Sequence, residues 1–78
     1  MQIKTVDMDS LYIPYPDSLY NNERIESEQY LIDMKNHIED LPPIEVIDLG
    51  DIYSLSNGYH RVSIYKYLGL KQIRAEVY

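Results

Sequence analysis

Two consecutive prolines, Pro42-Pro43, stand near the middle of this 78-residue chain and divide what it can build. The proline ring fixes φ and removes an N–H, so no regular helix runs through the pair and no interior strand includes it. Upstream, Leu31, Met34, Ile38 and Leu41 recur at steps of three and four, one face of a helix. Asp33, Lys35, Asn36, Glu39 and Asp40 take the other face. Ser27 is the expected N-cap, with Glu28 and Gln29 in the first turn. The spacing therefore predicts a helix over Ser27–Asp40.

Downstream of the prolines, Ile44–Asp48 reads as a strand, Leu49-Gly50-Asp51 as a turn and Ile52–Leu55 as a second strand, together a hairpin. Ser56-Asn57-Gly58 breaks the strand. Val62, Tyr65 and Leu68 then restore helical spacing over Tyr59–Leu68, and Gly69 is the stop signal. In Gln72–Tyr78, Ile73, Ala75 and Val77 alternate with Gln72, Arg74 and Glu76, a half-buried strand suited to a sheet edge. At the N-terminus, Gln2–Met8 reads as a short strand and Met8–Leu11 as one turn. Tyr12–Asn22 reads as a loop, marked by Pro14, Pro16, Asp17, Asn21 and Asn22. The expected architecture is one α+β domain over residues 1–78, with a mixed sheet of about four strands and two main helices.

Composition narrows the function classes. The chain has no cysteine, which excludes a disulfide framework, a thiolate metal site and a thiol nucleophile. No metal motif with recognisable spacing is present. No apolar run approaches the roughly 20 residues of a membrane helix, and no secretory leader opens the chain, so a cytoplasmic domain without membrane contact is expected. Residues 1–40 hold nine acids against Lys4, Arg24 and Lys35, a net of −6. Residues 41–78 balance four acids with Arg61, Lys66, Lys71 and Arg74. A net charge of −6 opposes direct DNA binding, which rests largely on attraction to phosphates. It leaves room for a local basic patch in the second half. All nine aromatic residues are tyrosine, a side chain suited both to the boundary of a core and to protein contacts. A core this small also leaves homodimerisation open.

The stretch with chemical content is Asn57-Gly58-Tyr59-His60-Arg61, where a strand gives way to a helix. A helix start exposes unpaired N–H groups and the positive end of the dipole, a geometry that holds phosphate. Gly58 permits close backbone approach to an anion. His60 brings a donor, and Arg61 a permanent charge that can grip phosphate with two parallel bonds. Two readings stand side by side. In one, Asn57 contacts a phosphorylated ligand held by the turn. In the other, Asn57 caps the helix, Gly58 serves the turn, and His60 and Arg61 are solvated or paired with the acidic helix.

The run Leu55–Ala75, read with Val6–Leu11 and the helix followed by Pro42-Pro43-Ile44-Glu45-Val46, resembles the ParB N-terminal/sulfiredoxin superfamily. Its hallmark is a hairpin whose second strand enters a Gly-x-(His or Arg)-Arg box, then a helix, Gly-Leu-Lys and a last strand. The resemblance implies a phosphate cradle for a nucleoside triphosphate. Gly58, His60 and Arg61 match the box, Asn57 and Tyr59 fill its flanking and variable positions, and Mg²⁺ would arrive with the nucleotide. Departures are informative. Tyr59 stands where sulfiredoxin has its catalytic cysteine, so that chemistry is excluded. The proline-rich segment that usually ends in arginine here runs Pro14-Tyr15-Pro16-Asp17-Ser18, which leaves Arg24 as the substitute candidate for a second phosphate contact. Nucleotidase or phosphotransferase chemistry would require a carboxylate, and Glu23, Glu26, Glu28 and Asp51 are on offer.

Two functions compete on these grounds. In the first, a ligand-sensing module holds nucleotide phosphates at Asn57–Arg61, and loss of Arg61 abolishes binding with the fold intact. In the second, an acidic, Tyr-rich interaction factor presents Glu23, Glu26, Asp33, Glu39 and Asp40 with Tyr12, Tyr15 or Tyr20 to a basic partner, as a DNA mimic does.

Overall fold

The computed structural model describes residues 2–78. Its strands are β1 (Gln2–Asp7), β2 (Leu11–Tyr12), β3 (Ile44–Asp48), β4 (Tyr53–Asn57) and β5 (Gln72–Val77). Its α-helices are α1 (Asn22–Ser27), α2 (Gln29–Asn36) and α3 (Tyr59–Tyr67). The strands form one mixed sheet in the order β1-β5-β3-β4-β2. β5 is antiparallel to β1 and parallel to β3; β3 and β4 form the expected hairpin, and β2 adds to β4 in parallel. The sheet thus has five strands and the domain three helices, against about four and two in the sequence reading.

β5 corrects a second expectation. It lies inside the sheet, and the edges are β1 and β2. Alternation in sequence marks a strand with one covered face. It does not separate an edge from an interior position, because both faces of the pattern look the same whether or not the second neighbour is present. Ile73 and Ala75 are buried on the covered face with Val6, Ile44, Val46, Leu55 and Val62. Ile25, Leu31 and Ile64 form a second cluster that holds the three helices together.

The predicted helix over Ser27–Asp40 is shorter and broken. Ser27 is the last residue of α1, its Oγ donating to the carbonyl of Glu23 at 2.9 Å. The N-cap of this region is Asn21, whose Oδ1 accepts from the Arg24 N–H at 2.9 Å. Asn21-Asn22 reads as a turn in sequence, and an Asx turn and an Asn cap share one chemistry. α2 then ends at His37, whose N–H bonds the carbonyls of Asp33 and Met34. A 3-10 turn over Ile38–Asp40 leads to the prolines. Within the predicted Tyr12–Asn22 loop, Tyr12 belongs to β2 and Pro16–Ser18 forms a 3-10 turn.

α3 ends as predicted. Gly69 has a φ of 71°, and the N–H groups of Gly69 and Leu70 return to the carbonyls of Lys66 and Tyr65. This is the paired closure that glycine favours at a helix C-terminus. Among the described residues, no helix is long and apolar enough to cross a membrane.

Candidate functional site

The strand β4 delivers Asn57 and Gly58 directly to the start of α3. Gly58 is the N-cap, with a φ of 120° and ψ of 29°. A Cβ here would lie 2.6 Å from Ile44 Cγ2 and 2.9 Å from Ile44 Cβ. The position therefore needs glycine twice over, for its backbone angles and for its contact with a fully buried side chain. No side chain caps α3. Its first N–H groups have no partner within the helix, since their acceptors would precede it.

Asn57 is not the cap. Its amide donates to Glu45 Oε2 at 2.9 Å across the hairpin. Arg61 turns back over the helix start, and its Nη1 donates to the carbonyls of Pro42 at 3.1 Å and Pro43 at 2.5 Å. Its Nη2 would be 3.3 Å from a Cβ on Gly58. The expectation of an Arg61 that is solvated or paired with acids is thus corrected. The guanidinium is pinned by two main-chain oxygens of the double-proline turn. Arg61 also supports the fold, so its removal does not leave the fold untouched.

His60 is half-buried between two rings: Tyr20 at 4.3 Å between centroids and Tyr30 at 5.7 Å, edge-on. The Arg24 guanidinium lies 4.4 Å from the centre of the Tyr20 ring, a cation–π contact. It also pairs with Glu28 one helical turn on, Nη2 donating to Oε1 at 3.1 Å and Nε to Oε2. The Arg24 hydrogen bond holds the Glu28 carboxyl below its usual range, with help from the Arg24 charge, Tyr30 and His60. Desolvation, Tyr20 and Glu28 raise the Tyr30 phenol.

Tyr30, Met34 and Pro42 face Asn57, Gly58, His60 and Arg61 across a shallow depression of about 370 Å³. Four of the five residues singled out in the sequence therefore meet in one place. Tyr59 does not join them with its side chain. Its ring packs against the main core, and its hydroxyl accepts from the Tyr15 N–H at 3.2 Å. One turn on, Ser63 Oγ donates to the Tyr59 carbonyl at 2.6 Å and accepts from the Tyr20 N–H at 2.8 Å. The proline-rich loop is thus fastened to α3 at two points. Tyr20, Tyr30 and the Pro42 carbonyl escape a sequence reading, because Tyr20 reaches His60 across 40 positions with no local pattern to mark it.

No family model matches the chain, and no curated protein matches it by sequence. Solved structures do. Sulfiredoxin from Arabidopsis thaliana is 24% identical, with a TM-score of 0.76 over 100% of this chain and 85% of that one. Two structures of the C-terminally truncated chromosome-partitioning protein ParB from Caulobacter crescentus also match. The one complexed with CTP-γ-S is 25% identical, with a TM-score of 0.68 over 100% of this chain and 44% of that chain. The one complexed to the centromeric parS site is 26% identical, with a TM-score of 0.64 over 96% of this chain and 38% of that chain. The chain has the ParB/sulfiredoxin-like fold, and it spans less than half the length of either ParB chain.

Proposed function

We propose that this chain is a ligand-binding module that holds a nucleotide, or another small phosphorylated molecule, by its phosphates at the start of α3. The observation that carries the reading is the uncapped first turn beside Gly58, with Arg61 fixed over it by two proline carbonyls. A cation positioned in advance loses little freedom when an anion arrives. The first-turn N–H groups and the helix dipole add to the same attraction. The ParB structure that resembles this chain was solved with CTP-γ-S, which favours a nucleotide among phosphorylated ligands.

Sensing is favoured over catalysis. Two carboxylates adjoin the site: Glu45 accepts from the Asn57 amide, and Glu28 contacts the Arg24–Tyr30–His60 surroundings, where Arg24 keeps it ionised. A carboxylate with a lowered pKa is a weak general base. Mg²⁺ would enter with the nucleotide; among the described residues no group of three acidic or histidine side chains is placed to hold an ion.

Amide NMR with Mg²⁺ and either CTP or ATP tests the reading. Saturable shifts at Gly58–Val62 are expected, weakening as salt is raised. Shifts that never saturate, or that avoid this turn, would overturn it.

A further inference from the structure

We propose that a second site, at the C-terminal end of α3, binds a small amphiphilic carboxylate. A recess of about 270 Å³ opens between the turn after β1, the start of the proline-rich loop, the second half of α3 and the turn that follows it. Val62 is fully buried at this wall, and half-buried Leu11 and Ile13 face the recess with Leu70. Leu70 is 40% exposed although apolar, so the recess leaves oily surface uncovered.

The margin is cationic. Lys66 and Lys71 border the recess against a single acid, Asp9. The chain has four lysines and a net charge of −6, yet two of the four meet here. Neither forms an ion pair among the described residues, where the one ion pair joins Arg24 to Glu28. Lys66, in the last turn, complements the negative end of the helix dipole. Lys71 lies beyond the helix and has no such role.

An apolar recess with two cations at its mouth matches a ligand with an apolar tail and an anionic head. Small-molecule pockets usually span about 300–1,000 Å³, so this one suits a short acid. None of the five residues of the Asn57–Arg61 turn borders the recess, so the two proposals stand or fall separately.

The test is amide NMR on the full chain, titrated with hexanoate, hexanol and acetate. Hexanoate should give saturable shifts at Leu11, Ile13, Lys66, Leu70 and Lys71 and leave Gly58–Arg61 unmoved. Each added methylene should tighten binding by about fourfold. Hexanol and acetate should each bind at least about tenfold more weakly, since each lacks half of the recognition. The double variant Lys66→Gln/Lys71→Gln changes two exposed side chains, and its melting temperature reports whether it is folded. It should erase the preference of hexanoate over hexanol. The proposal is overturned if hexanoate fails to saturate, if hexanol equals it in the unaltered protein, if its shifts fall on Gly58–Arg61, or if the double variant keeps the preference.

Discussion

Gly58 and Arg61 each serve the fold and the proposed site at once. Replacing Gly58 by alanine drives a Cβ into the fully buried Ile44 and demands a strained φ. The two effects together should cost about 2–4 kcal/mol. For a domain of this size that lowers the melting temperature by more than about 10 °C in a thermal scan. Arg61→Ala should cost about 1–2 kcal/mol in the same scan, because two proline carbonyls lose a charged donor. Arg61→Lys should recover part of that stability but less of the ligand binding, since an ammonium does not reproduce the planar fork. At this scale the sequence was partly legible. That Asn57, Gly58, His60 and Arg61 gather at one strand-to-helix turn can be read from residue types and their order. The direction of Tyr59 and the anchoring of Arg61 cannot, because each depends on a main-chain group at least 18 positions away.

Among the elements, the proline-rich loop is the least regular and the most deliberately tied. Tyr59 and Ser63 stand one turn apart on α3 and accept from the Tyr15 and Tyr20 N–H groups. Tyr59→Phe removes one tie and should raise amide exchange at Tyr15 with a stability loss of about 1 kcal/mol or less. Ser63→Ala leaves the Tyr20 N–H without its acceptor in a part-buried place, and should cost about 1–3 kcal/mol in chemical denaturation. If hydrogen exchange across Tyr15–Tyr20 is the same in both variants as in the parent, the ties are incidental. Strong punctuation made β3, β4, α3 and β5 readable, through Pro42-Pro43, Gly50, Gly58 and Gly69. β2 and α1 were missed because they are two and six residues long, too short to show a period.

At the scale of the whole molecule, Tyr67 and Tyr78 tie the surface acids Glu26 and Glu45 to distant parts of the chain. Tyr67 donates to Glu26 at 2.7 Å, and the single O–H of Tyr78 is shared between Glu76 at 3.1 Å and Glu45 at 3.3 Å. The hydrogen bond to Glu26 raises Tyr67, and that to Glu76 raises Tyr78, above the ordinary value of 10.0. A raised folded pKa means stability that is whole below the unfolded value and is lost as pH climbs through the folded one. The melting temperature should therefore fall above about pH 10. The double variant Tyr67→Phe/Tyr78→Phe should fall less steeply, and an identical slope would assign the loss to other groups. The α+β class and the β3–β4 hairpin were legible from the order of elements. The interior place of β5 was not, because it depends on a pairing with β1 across up to 75 positions. The proposed function rests most heavily on the Gly58–Arg61 turn. Thermal unfolding with Mg²⁺ and, in turn, ATP, CTP, GTP and UTP tests it most directly, run beside Arg61→Ala. At about 100 times the dissociation constant, a bound nucleotide adds about 2.7 kcal/mol, a rise of several degrees. Such a rise is expected with at least one nucleotide in the parent chain, and none in Arg61→Ala measured from its own lower baseline. No rise with any nucleotide, or an equal rise in the variant, would overturn the proposed function.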